Sequence, residues 1–335
     1  MTLRIVRYAF AACLAAVPIT GCGAGGSSGA AMPAAPAAMR PHSNVAHFAS
    51  AGSWFRHDSG SSGDLVYMAD GENIDIYSFA GKQVGQLKGF RSTAVYGLCS
   101  DPDGNVWVTY GGSLLEYARG GTVPIAQFYT DETAVSCAVD PTTGDIAVSE
   151  GTGEGRIGVG NEVAVYTDIY ASPEIYRDSD VNYYLFTTYD SDGNLFVDGS
   201  SNIQRNTALV ELPQGGSALQ TVKMDEKFGK VGGLQWDSQY VAIGDSEKQL
   251  IYEMSIADGS ATTVGTTRLH AWRGARFKDI EPFAIGNGQI VLTFSDRQTG
   301  FWRFPGGGKT LHRISVITGA KTISVAPSGL RRTNI

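Results

Sequence analysis

A short pattern returns along this chain with little change: an apolar strand, an Asp/Gly turn and a second apolar strand. It reads Tyr96-Gly-Leu-Cys-Ser-Asp-Pro-Asp-Gly-Asn-Val-Trp-Val108, then Val135-Ser-Cys-Ala-Val-Asp-Pro-Thr-Thr-Gly-Asp-Ile-Ala-Val148, then Leu185 through Asp190-Ser-Asp-Gly-Asn-Leu-Phe-Val197. Turn markers of this kind fall at Gly63, Gly104, Gly144, Gly193, Ser238 and Gly288, so the unit recurs every 40 to 50 residues. An apolar strand follows each marker, from Leu65-Val-Tyr-Met-Ala69 to Tyr240-Val-Ala-Ile243 and Ile290-Val-Leu-Thr-Phe294.

A second marker lies between the two outer strands in five of the six units, in step with the first. It appears as Phe79-Ala-Gly81, Tyr117-Ala-Arg-Gly-Gly121, Glu211-Leu-Pro-Gln-Gly-Gly216, Ile256-Ala-Asp-Gly259 and Phe304-Pro-Gly-Gly-Gly308. Gly and Asp-Gly supply the positive φ that tight hairpins need. Repeats of this length made only of short strands predict an all-β fold, a six-bladed β-propeller. The segment Ile323-Ser-Val-Ala-Pro-Ser-Gly329 reads as an innermost strand and turn with no second strand after it. It is expected to complete blade one beside Leu65–Ala69, leaving no open edge. Units such as Tyr96 to Val108 and Val135 to Val148 resemble NHL-type repeats, and residues 60 to 329 as a whole resemble an NHL/YncE-like six-bladed propeller lipoprotein.

The first segment reads as an address. Arg4 and Arg7 precede an apolar stretch, Tyr8 to Ile19, which is too short to span a bilayer. It ends in Ile19-Thr-Gly-Cys22, which resembles the bacterial lipobox and so implies a signal peptide over 1–21 and lipid on Cys22; an ordinary secretory signal is the other reading. Residues 22–50 are rich in Gly, Ala, Ser and Pro and read as a flexible tether. The propeller then occupies 51–335, and the chain is expected in a bacterial cell envelope, lipid-anchored and facing periplasm or exterior.

Net charge is −7, and no block of Lys and Arg stands out, which disfavours nucleic acid as a partner. Once Cys13 leaves with the signal and Cys22 is lipidated, Cys99 and Cys137 remain. Counted back from Asp101 and Asp140 they differ by one residue, which places them on opposite faces of neighbouring sheets. A disulfide follows from that alignment; aligned on the turn glycines instead, both face the same way and stay free thiols.

Chemistry is harder to place. Asp70, Glu150, Asp198, Asp245 and Asp296 stand at or near the ends of second strands, where a propeller gathers its channel-mouth loops. As a ring they would hold Ca²⁺ or another hard cation, or polarise a sugar or lactone; singly, each would cap its own turn. Asp101-Pro-Asp-Gly-Asn105 and Asp190-Ser-Asp-Gly-Asn194 start like calcium loops but lack the closing Glu, and read as turns. The stretch Gly151 to Gly160 imitates a phosphate loop without its Lys-Ser/Thr or a following helix. In a predicted inter-blade loop, Thr266 to Arg276, the residues His270, Trp272, Arg273 and Arg276 offer a stacking face and cationic forks to an anionic or carbohydrate ligand; the alternative is an ordinary loop with Trp272 packed on a blade.

Two functions remain. One is a binding or scaffold propeller, tethered by its lipid and holding a protein, glycan or small ligand at the channel mouth. The other is a metal-dependent enzyme of lactonase or lyase type using the acidic ring. The absence of a Gly-x-Ser-x-Gly elbow, a His-Glu-x-x-His pair or a zinc-spaced Cys/His cluster favours the first.

Overall fold

The computed structural model describes residues 52–57, 63–70, 72–90, 95–151, 160–168, 171–201, 207–270, 280, 282–294, 298–314 and 322–328. Among them there is no helix. Strands β1 (Trp54–Phe55), β2 (Leu65–Ala69), β3 (Asn73–Ser78) and β4 (Gln83–Lys88) come first, followed by β5 (Val95–Ser100), β6 (Val106–Tyr110), β7 (Ser113–Tyr117) and β8 (Pro124–Tyr129). Next are β9 (Thr133–Val139), β10 (Ile146–Gly151), β11 (Glu162–Tyr166) and β12 (Glu174–Tyr176), then β13 (Val181–Tyr189), β14 (Leu195–Ser201), β15 (Thr207–Leu212) and β16 (Gln220–Thr221). The chain continues with β17 (Lys223–Met224), β18 (Val231–Trp236), β19 (Val241–Asp245), β20 (Leu250–Ala257) and β21 (Ser260–His270). It ends with β22 (Phe283–Gly286), β23 (Gln289–Phe294), β24 (Gln298–Arg303), β25 (Gly307–Ile314) and β26 (Thr322–Ala326).

Consecutive strands pair antiparallel in small meanders: β5 to β8, β9 to β12 and β13 to β16 each form a sheet of four. A larger sheet holds two such meanders, β18 to β21 and β22 to β25, joined where Leu269 and His270 pair parallel with Gly308 and Lys309. The first sheet runs β1-β4-β3-β2-β26, with Leu65 opposite Ala326 and Ala69 opposite Thr322. Its outermost strand, β1, is one the repeat pattern did not announce. Two residues carry no periodicity, and it is the pairing of Trp54 with Gln86 and Phe55 with Gly85 that makes them a strand.

The turns explain the repeat. Asn105 donates to Asp101 through its backbone N (2.8 Å, to Oδ1) and through Nδ2 (2.8 Å, to Oδ2), while Gly104 sits at φ +89°. Asn194 repeats both bonds to Asp190, with Gly193 at φ +88°. These segments are turns, as read from the sequence.

Alternating side chains point to opposite faces of each sheet, and the core is divided accordingly into layers between neighbouring sheets. Leu65 and Tyr67 pack with Val106 and Val108, whereas Val66 and Met68 turn the other way, onto Ala284, Val291 and Phe301. Trp107 and Phe128 pack with Ile146 and Val148; Ala147 and Val165 with Leu195 and Val197; Phe196 and Leu209 with Val241 and Ile243; and Ala242 and Ile251 with Ile290 and Trp302. Each side chain fully buried in such a layer contributes roughly 1.5–3 kcal/mol.

Candidate ligand cavity

The first strands of the meanders lie side by side: β26 contacts β5, β5 contacts β9, β9 contacts β13, β13 contacts β18, β18 contacts β22, and β22 contacts β26. Short polar or covalent links join most of these neighbours. Leu98 N donates to Thr322 Oγ1 (3.0 Å), Thr187 N donates to Ser136 Oγ (3.2 Å), and Trp236 N donates to Thr188 Oγ1 (2.9 Å). The Gln235 side chain grips Ile285 twice, receiving its N–H at Oε1 (2.7 Å) and donating from Nε2 to its carbonyl (3.2 Å).

Between β5 and β9 the link is a disulfide, Cys99–Cys137, with Cα atoms 5.6 Å apart. The registers show why it forms. Cys99 lies opposite Trp107 and Cys137 opposite Val148, one position further along the second strand. Cys99 stands two residues before Asp101 and Cys137 three before Asp140, and that one-residue offset puts the sulfurs on facing sides. Gly97 permits the close approach, since a Cβ there would lie 2.8 Å from Val135 O.

These strands and the turns that follow them border a cavity of about 1360 Å³. That exceeds the 300–1,000 Å³ usual for small-molecule sites. Its lining includes Asp64, Asp101, Asp190, Asp237 and Glu253 and, among the described residues, no Lys, Arg or His. Tyr189, Trp236, Tyr240, Phe283 and Phe304 add aromatic surface, and Gln235, Gln239 and Asn287 add amides.

Electrostatics follow from burial. Desolvation holds Asp101 above the usual carboxylate range, partly offset by its bonds from Asn105. Glu253 is also pushed up, first by burial and then by the nearby Asp237. Glu253 is 8% exposed, and no hydrogen-bond donor reaches it among the described residues. Glu116 and Glu211 occupy the same register, opposite Trp107 and Phe196 as Glu253 is opposite Ala242. Reading the sequence by turns missed these three. Their signal was a lone Glu inside apolar third strands: Leu115-Glu-Tyr117, Val210-Glu-Leu212 and Tyr252-Glu-Met254.

The strand-end acids that the structure describes lie elsewhere. Asp70, Glu150, Asp198 and Asp245 do not line this cavity, which opens among the turns after the first strands rather than those after the second. Asp70 Oδ1 accepts from Glu72 N (2.9 Å) and Asn73 N (2.7 Å), and Asp245 Oδ1 accepts from Glu247 N and Lys248 N (3.0 Å each), as turn caps do. Glu150 is fully buried; Tyr166 donates to its Oε1 at 2.6 Å and Glu132 N to its Oε2 at 3.2 Å. Asp198, also fully buried, receives Phe186 N at 2.9 Å. Among the described residues no three His, Cys, Asp or Glu side chains converge to hold a metal ion. Asp296 lies outside the described residues.

The segment expected as a loop from Thr266 is strand as far as His270. β21 continues to His270, because Thr266, Thr267 and Arg268 pair with β20 and Leu269 and His270 pair with β25. His270 is exposed, and its carbonyl accepts from Trp302 Nε1 (3.2 Å). Trp272, Arg273, Arg276 and Cys22 lie outside the described residues.

No family model and no curated protein matches the sequence. Solved structures do match in fold. A chain of the nidogen/laminin complex superposes with a TM-score of 0.62 at 14% identity, covering 79% of this chain and 99% of its own length. A protein of unknown function from Bacteroides caccae gives 0.53 at 9% identity, with coverage of 79% and 99%. A functionally unknown protein from Desulfotomaculum acetoxidans gives 0.50 at 14%, with coverage of 82% and 89%. With its small antiparallel sheets and these likenesses, the fold is a β-propeller.

Proposed function

We propose that the chain is an envelope-tethered propeller of six blades, closed by β26 beside β2, and that it binds a ligand in its axial cavity. One observation carries this reading: a single cavity takes lining from β26, β5, β9, β13, β18 and β22 together and mixes aromatic rings, carboxylates and amides. Such a lining orients a ligand by a few polar groups on an apolar wall. The count of six is supported by the interlayer packing, in which the last meander and the first share Val66, Met68, Val291 and Phe301. Binding fits better than catalysis because Asp70, Glu150, Asp198 and Asp245 are engaged with backbone or tyrosine donors inside their own or adjoining strands.

The test uses a thermal-shift panel of amino acids, polyamines, oligosaccharides and short peptides. At least one member should raise Tm by over ~2 °C, and Val139→Trp, which fills the cavity from a half-buried position on β9, should abolish the rise. A hundredfold excess over Kd stabilises by about 2.7 kcal/mol, well within reach of the method. If no member shifts Tm, or the rise survives in Val139→Trp, the cavity is not the binding site.

The tether rests on Ile19-Thr-Gly-Cys22 and the low-complexity stretch behind it. Cys22→Ser should move the protein from the membrane to the soluble fraction and abolish palmitate labelling. Unchanged partitioning would remove the anchor from this reading.

A further inference from the structure

We propose that the cavity takes an organic cation, an ammonium group on an apolar chain, with Glu253 as its counter-ion and Trp236 and Tyr240 as its aromatic wall. This rests on the reading of the cavity as a ligand site and specifies what enters it.

The charge pattern comes first. Five carboxylates and no basic side chain line the cavity among the described residues, so its field favours a positive guest. Most of those acids already serve the fold. Asp101 and Asp190 are held by Asn105 and Asn194, and Asp237 Oδ1 caps its turn by accepting from Gln239 N (2.8 Å) and Tyr240 N (2.7 Å).

Glu253 differs from them. It is more than nine-tenths buried, lines the cavity, and meets no donor among the described residues. Its carboxylate lies across β21 at Gly265, where an added Cβ would stand 2.5 Å from Oε2, so glycine leaves the space it occupies. Its oxygens are not sealed from solvent, but with no donor the burial of the residue still raises the cost of its charged form. A cation arriving in the cavity supplies the missing partner and releases that cost.

Trp236 and Tyr240 are each half-buried in the cavity wall, on either side of the turn that carries Asp237. An ammonium near such ring faces is attracted by their quadrupoles, and the rings cover the apolar chain behind it. Glu116 provides an internal contrast. It has the same register and the same want of a donor among the described residues, but it does not line the cavity.

Calorimetric titration of the full-length protein in detergent with hexane-1,6-diamine and with hexane-1,6-diol separates charge from carbon chain. The diamine should bind and the diol should not. Glu253→Gln should weaken the diamine at least tenfold, about 1.4 kcal/mol, whereas Glu116→Gln should leave it unchanged. Val139→Trp should abolish it. Equal weakening by Glu253→Gln and Glu116→Gln, or equal binding of the diol, overturns the counter-ion. If the diamine gives no heat while another panel compound still binds in a manner blocked by Val139→Trp, the cation is wrong and the ligand cavity stands. If nothing binds, both readings fall.

Discussion

Melted at pH 5 and again at pH 8, the protein should show the higher Tm at pH 5. Burial raises the Glu150 carboxyl to about 7, with its bonds from Tyr166 and from Glu132 N only partly opposing the rise. Burial likewise raises Glu116 to about 7, helped by the charge of Asp101. In the unfolded chain both return to the ordinary value near 4.5.

Between those limits the folded state keeps protons that the unfolded state has lost. Their stabilising contribution is therefore complete below about pH 4.5 and disappears as pH rises through 7. Linkage gives roughly 2.5 kcal/mol for each group between pH 5 and pH 8, before relaxation of the surroundings reduces it. Asp75, Asp101, Asp145, Glu211 and Glu253 are displaced in the same direction by burial, so they add to the trend. At 2–4 °C per kcal/mol for a domain of this size, the fall should be about 10 °C. Scanning calorimetry at constant ionic strength reads it directly. Glu116→Gln loses no hydrogen bond among the described residues and should flatten the profile by up to half. A Tm that climbs from pH 5 to pH 8 would overturn the assignment of these groups as proton-holding.

Which parts of this molecule could be read from its sequence follows from which interactions are local. The hairpins were legible because Gly104, Gly144, Gly193, Gly259 and Gly288 adopt positive φ, a backbone state that few other residues tolerate. The strand pattern was legible for the same reason that the core is layered: alternation writes both faces of a sheet into the chain. The roles of the strand-end acids are not legible, because such an acid has two outcomes that composition does not separate. Asp70 and Asp245 turn back onto the amides of their own turns, while Glu150 and Asp198 turn inward to Tyr166 and to Phe186 N. Which one occurs depends on side-chain direction and on a partner far along the chain.

A channel-mouth ligand was expected, but the place of the cavity was not legible. It is bounded by six strand ends spread over more than 200 residues, and only their assembly makes it concave. Glu253 was legible in principle, as a charge where the third strand should have none. Turn signals do not reveal it, because it lies inside a strand whose neighbours are apolar. His270 was misplaced because a polar, arginine-rich stretch reads as a loop, whereas Thr266 and Thr267 pair with Tyr252 and Ile251 and carry the strand on.

Removing the Cys99–Cys137 bridge should cost this fold several kcal/mol. The bond closes a loop with a sequence separation of 38 between two neighbouring first strands. In the chain-entropy model, opening such a loop restores freedom to the unfolded state worth roughly 4 kcal/mol. The folded state has less to lose by rearrangement, since Cys99 and Cys137 are buried in the layer with Trp107, Phe128 and Ile146. A Cys99→Ala/Cys137→Ala variant should therefore stay folded while its Tm falls by about 10 °C. Its urea midpoint should match that of the reduced wild-type protein. Both cysteines are among the residues that line the cavity, so loosening this seam should weaken diamine binding in the same variant without touching Glu253. Peptide mapping without reductant should recover the linked pair. Thiols that alkylate freely in the unfolded, unreduced protein, or equal midpoints with and without reductant, would show that the seam between β5 and β9 is held by packing alone.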